Sequence, residues 1–136
     1  MGTIGTIARL PAIIDIGVPS NSTLLRGMAV TIDSTTKLAR VLGASTERLA
    51  GYATSDADTD ILQVPVACGK GGFTVWIKPS TGYTPVAGDV IYVNTTALDG
   101  TFYATAGTNT GATPLGFIVD AKADAYGCVE MAFWSA

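Results

Sequence analysis

Asp56-Ala57-Asp58-Thr59-Asp60 places three carboxylates at alternate positions, the way a calcium loop opens. An EF-hand loop also needs Gly at its sixth place and Glu at its twelfth. Ile61 and Ala67 stand there, so the run reads as a solvated acidic turn ahead of a strand. Gly69-Lys70-Gly71-Gly72 has the glycines and lysine of a phosphate loop, but lacks the earlier Gly and the hydroxyl residue after Lys. It reads as a turn before Phe73. Histidine is absent from all 136 residues. That removes the commonest general base, the commonest zinc ligand and the partner of a Ser or Cys nucleophile. Cys68 and Cys128 have no CxxC spacing and are expected as reduced thiols on or near strands. Trp76 and Trp134 could form a sugar platform with Tyr83 or Tyr103, although such residues more often anchor cores or interfaces. The acidic residues are scattered and no Glu is flanked by aromatics, which argues against glycoside hydrolysis. No catalytic residue, metal ligand or cofactor is assigned, and the chain is expected not to be an enzyme.

Composition points to surfaces rather than to a site. Hydrophobic residues make up 48% of the chain and charged residues 14%, against about 25% charged in a typical domain. So few charges suggest surface buried against other subunits. The net charge is −3 and basic residues are scattered, so neither nucleic acid nor an anionic membrane is an expected partner. No run approaches the ~18 apolar residues of a membrane helix, and no basic stretch precedes the apolar start. A soluble protein made in a cytoplasm is expected. In that setting the sequons at Asn21 and Asn94 carry no meaning.

A pattern that occurs twice organises these residues. GMAVTIDSTT (27–36) and GDVIYVNTTA (88–97) share a Gly, a β-branched run, an Asx and hydroxyl residues. LAGYAT (49–54) answers to PLGFIV (114–119). Pooling the copies resolves ambiguous segments such as KLARVLG (37–43) as strand. Strands are expected at 27–33, 37–43, 49–54, 61–67, 72–78, 89–94, 101–105, 115–120 and 127–134, with at most a helical turn near Thr46–Leu49. Pro65 demotes its strand to an edge or marks a bulge, and Asp99-Gly100 is a hairpin signal. The fold class is all-β: a small β-barrel or sandwich with an internal strand–turn–strand duplication and an extended N-terminal arm. Residues 1–23 form that arm, residues 24–136 one β domain. The arm's Ile4, Ile7, Leu10, Ile13, Ile14 and Ile16 are too apolar for water, so the arm is expected to pair with its own sheet, with a neighbouring subunit or with something larger. Val30, Ile32, Val75, Ile77, Ile91, Val93, Val129, Met131 and Phe133 are the expected core.

An arm, a Gly-led strand, the LAGYA step, ILQVPV, a Gly-rich turn into FTVWI, then AGDVIYVN (87–94), DGTFYATA, PLGFIVDA (114–121) and GCVEMAF follow in order. Over about Leu24 to Phe133 this resembles the capsid decoration, or head cement, proteins of tailed bacteriophages. The resemblance implies a structural virion protein. It would sit on the outer surface of an expanded head as a trimer at capsomer junctions, bound to the major capsid protein and stabilising the shell, with the arm isoleucines and Leu10 as the capsid- or subunit-binding residues. The alternatives are another phage β module (head-fibre base, tail or baseplate) and a carbohydrate-binding module.

Overall fold

Alternating Val, Ile, Thr and Tyr, broken every few residues by Gly, Pro or Asx, give this chain many short strands and no helical stripe. The computed structural model describes residues 11–42, 47–68, 71–94, 99–104 and 114–134. Among them are ten strands and no helix: β1 Ala12–Gly17, β2 Ala29–Ile32, β3 Ala39–Val41, β4 Gly51–Ala53, β5 Gln63–Cys68, β6 Gly71–Ile77, β7 Val90–Val93, β8 Phe102–Ala104, β9 Gly116–Asp120 and β10 Val129–Trp134. They form two five-stranded antiparallel sheets, ordered β1-β5-β4-β2-β3 and β6-β10-β9-β7-β8. The all-β class holds, and each of the nine expected strands of the body has its counterpart here.

The second order is the first with every strand advanced by five. The registers agree as well. Ile13↔Ala67↔Tyr52↔Ala29 is one row across the first sheet; Thr74↔Ala132↔Phe117↔Val90 is the same row across the second. Gly27 N–H donates to the Ala53 carbonyl, and Gly88 N–H to that of Ile118. Both glycines have positive φ, 85° and 92°. The duplication therefore makes two complete halves, 11–68 and 71–134, rather than one interleaved barrel.

The N-terminal segment is not a free arm from residue 12 on. It is β1, paired along its length with β5 of its own sheet and equivalent to β6 of the second half. An isoleucine-rich extended segment gains more by completing the ladder beside Val64 and Val66 than by waiting for another chain. Ile4, Ile7 and Leu10 lie outside the described residues. Pro65 is also not on an edge strand: β5 lies between β1 and β4. Thr54 N–H donates to the Pro65 carbonyl, and proline has no N–H to return. The Thr54 carbonyl instead accepts from Arg26 Nη1 at 2.8 Å. Ile32 leaves the expected core at 38% exposure, because β2 runs out there into the Asp33 turn. The other eight expected core residues are buried.

Two clusters fill the molecule. Val30, Ala39, Ala53, Val64 and Val66 face one way from the first sheet and are closed over by Val18, Leu24 and Met28. The corresponding face of the second sheet holds Ile91, Phe102, Ile118, Val129 and Met131. Ala29, Leu42, Tyr52 and Ala67, from the opposite face of the first sheet, join that cluster. The halves thus stack back to front: the inner face of the second covers the outer face of the first.

Candidate interaction surfaces

Tyr52 is the pivot of the stacking. Its ring lies 5.8 Å from Phe102 and 5.2 Å, edge-on, from Phe133, and Phe133 meets Phe73 at 5.2 Å. Edge-on aromatic pairs of this kind add to the area they bury. Backbone bonds run beside the rings, from Ala29 N–H to the Gly100 carbonyl at 2.9 Å and from Lys78 N–H to the Gly27 carbonyl at 3.0 Å. A Cβ on Gly100 would lie 3.0 Å from the Ala29 oxygen, and one on Gly27 would lie 2.7 Å from the Lys78 nitrogen. Glycine at both points is what lets the halves approach.

Arg26 ties the rim of this junction. Its Nη2 is 3.0 Å from Asp124 Oδ2 and its guanidinium lies 5.3 Å from the Tyr126 ring centre. Its own N–H donates to Asp56 Oδ1. Partial burial opposes ionisation of Asp124. Hydrogen bonds from the Cys128 and Tyr126 amides and from Arg26 outweigh that, and hold the carboxyl below its ordinary value. Cys128 is buried and Cys68 half-buried; both are free thiols, pushed up by burial. A cavity of about 100 Å³ opens beside the junction, lined by Pro11, Ile13, Tyr52 and Trp76 among others. The Tyr52 hydroxyl has no hydrogen-bond partner among the described residues.

The segments singled out for chemistry are used structurally. Asp58 Oδ1 accepts from the amides of Asp60 and Ile61, so the acidic run is a self-capped turn. Among the described residues no group of three acidic, Cys or His side chains is placed to hold a metal ion. Ser80, Thr101, Asn94 and Asp99 form a hydrogen-bonded chain, with Ser80 Oγ 2.6 Å from Thr101 Oγ1 and the Asp99 carboxylate accepting from the Thr101 hydroxyl at its end. The Tyr83 hydroxyl donates to Asp89 Oδ2 at 2.6 Å; burial and then that carboxylate push it up. Trp76 on β6 and Tyr103 on β8 stand on opposite edge strands of the second sheet, too far apart to stack on one sugar ring. The Trp134 side chain and the Gly69-Lys70 turn lie outside the described residues.

Two surfaces remain for partners. One is β1, the edge of the first sheet, where Ile13 and Ile14 are 54% and 49% exposed and only Ile16 packs against the core. The sequence singled out these three residues. The other is the outer face of the second sheet, with Val90 and Phe117 at 40% and 41% exposure. It was missed, because reading it requires knowing which half covers which. No protein-family model matches the chain, and no curated protein matches it significantly.

Proposed function

We propose that this chain is a structural virion protein that binds the outside of an expanded phage head, as a trimer at capsomer junctions, and stabilises the shell. The observation that carries the reading is the N-terminal strand at a sheet edge. A strand there offers its outward N–H and C=O groups to a further strand, and Ile13 and Ile14 stand exposed on it. An edge of the major capsid protein, or of a neighbouring subunit, would pair with it, and three such edges on a trimer would multiply weak contacts into avidity. The charge-poor surface and the order of glycine-punctuated strands support the same reading.

The test is co-sedimentation of the purified protein with expanded and unexpanded heads. Saturable binding to expanded heads alone is expected. Deleting residues 2–10, or changing both Ile13 and Ile14 to Asp, should abolish it while leaving the fold intact. A deletion reaching residue 16 is the wrong probe, since it strips β5 of its neighbour. Absence of binding to either head form by folded protein would overturn the reading.

A further inference from the structure

We infer that the outer face of the second sheet is a self-association surface, and that its occupant is the same face of another copy of this chain. The argument comes from the duplication. Ala29, Tyr52 and Ala67 on the first sheet are the positional equals of Val90, Phe117 and Ala132 on the second. The first three are at most 2% exposed, because a β half of this chain lies on them. Val90 and Phe117, at the same backbone positions, remain about two-fifths exposed. The face is continued by Trp76, Tyr92 and Tyr103, residue types that enrich interface cores, with the carboxylates of Glu130 and its cross-strand partner Asp120 beside them.

A head-to-tail repeat of the internal contact is disfavoured at the turn before β3. The second half approaches Ala29 through Gly100, where a Cβ would crowd the Ala29 oxygen. The first half carries Lys37 at the matching turn, with φ 62° against 73° for Gly100. Its would-be contact residues are Ala12, Ala39 and Cys68, where the second half has Phe73, Phe102 and Phe133. The first half of a neighbour therefore lacks both the glycine and the rings. Of a neighbour's two exposed apolar surfaces, the β1 edge presents backbone groups that pair with another edge, and the second-half face is the one shaped to lie on a sheet face. A same-face contact joins two copies about a two-fold axis, so it is separate from the trimer contact of the proposed function; it rests on the fold alone, and free protein tests it whatever heads show.

The experiment is sedimentation velocity of the full chain from low to high micromolar concentration, on wild type, Val90→Lys, Phe117→Lys and, as a control on an exposed turn far from this face in sequence, Ile61→Lys. Wild type and Ile61→Lys should assemble. Val90→Lys and Phe117→Lys should weaken assembly by about tenfold or more, with circular dichroism unchanged. A wild type that stays monomeric, an assembly that survives both face variants, or one that Ile61→Lys also destroys would each overturn the inference. Should both face variants unfold, amide exchange of wild type decides: protection of β7 and β9 must rise with concentration, and unchanged protection overturns it.

Discussion

The two halves share a strand order, a register and a turn geometry, and a few packing residues, such as Ile16 and Ile77 or Val64 and Val129, but most of their packing residues differ. Where the second half buries Phe73, Phe102 and Phe133, the first has Ala12, Ala39 and Cys68. Where Leu25 N–H donates to Met28 Sδ, Val86 N–H donates to Asp89 Oδ2. The comparison teaches that backbone architecture is held by a few positions, mostly glycines and β-branched residues. The side chains around them were free to become a socket in one half and a plug in the other. Repeat halves that stack must become unlike, because one end of the stack is covered and the other faces outward.

The largest expected effect tests the shared backbone. A Cβ on Gly51 would fall onto the Ala67 carbonyl oxygen, and one on Gly116 onto that of Ala132. Backbone cannot yield as a side chain would. Gly51→Ala and Gly116→Ala should each cost about 4 kcal/mol or more, at the extreme of point substitutions, and by similar amounts in urea unfolding. Tolerance of either one would break the equivalence of the halves.

Tyr52 tests the socket and plug. Its counterpart is Phe117, and its buried hydroxyl lacks a partner among the described residues. Tyr52→Phe should stabilise the protein by about 1 kcal/mol, the scale of a polar group buried without a bond. A fall in melting temperature would mean that the hydroxyl is satisfied and that the comparison at this position fails.

The smallest effect concerns the turn before β5. Leu62 has φ 56°, and its equivalent, Gly127, has φ 78° with open space around it. A left-handed conformation costs a side-chain-bearing residue about 1–2 kcal/mol, part of which glycine returns as backbone entropy. Leu62→Gly should therefore gain about 0.5–1 kcal/mol. Thermal melts of that variant beside Gly127→Leu should move in opposite directions; movement in the same direction would separate the two turns.

Much of the fold was legible in particular residues. FTVWI and CVEMAF alternate, so β6 and β10 and their inward sides could be read directly. Gly27 and Gly88 marked the start of each copy. β1 was not recognised as the twin of β6, because AIIDIG puts isoleucines on both faces and has no alternation to match against FTVWI. Pro65 misled for a related reason: the rule that proline belongs at an edge assumes that no side chain will serve the stranded carbonyl, and Arg26 comes from a distant part of the chain to do so. Of the candidate surfaces, the isoleucines of β1 were singled out because a cluster of isoleucines in an extended segment ahead of the repeat stands out by residue type alone. The outer face of the second sheet could not, since Val90 and Ala29 look alike in sequence and differ only in what lies on them.

The sequence by itself determined the all-β class, the strand sites, the absence of histidine chemistry and the duplication, because period, turn chemistry and composition are local properties. Tertiary structure alone decided that the copies form separate sheets, that β1 closes the first of them, and that the halves stack back to front. Those outcomes depend on contacts between residues far apart in the chain, such as Tyr52 against Phe102 and Phe133, Gly100 against Ala29 and Arg26 with Asp124. No local pattern encodes which buried face meets which.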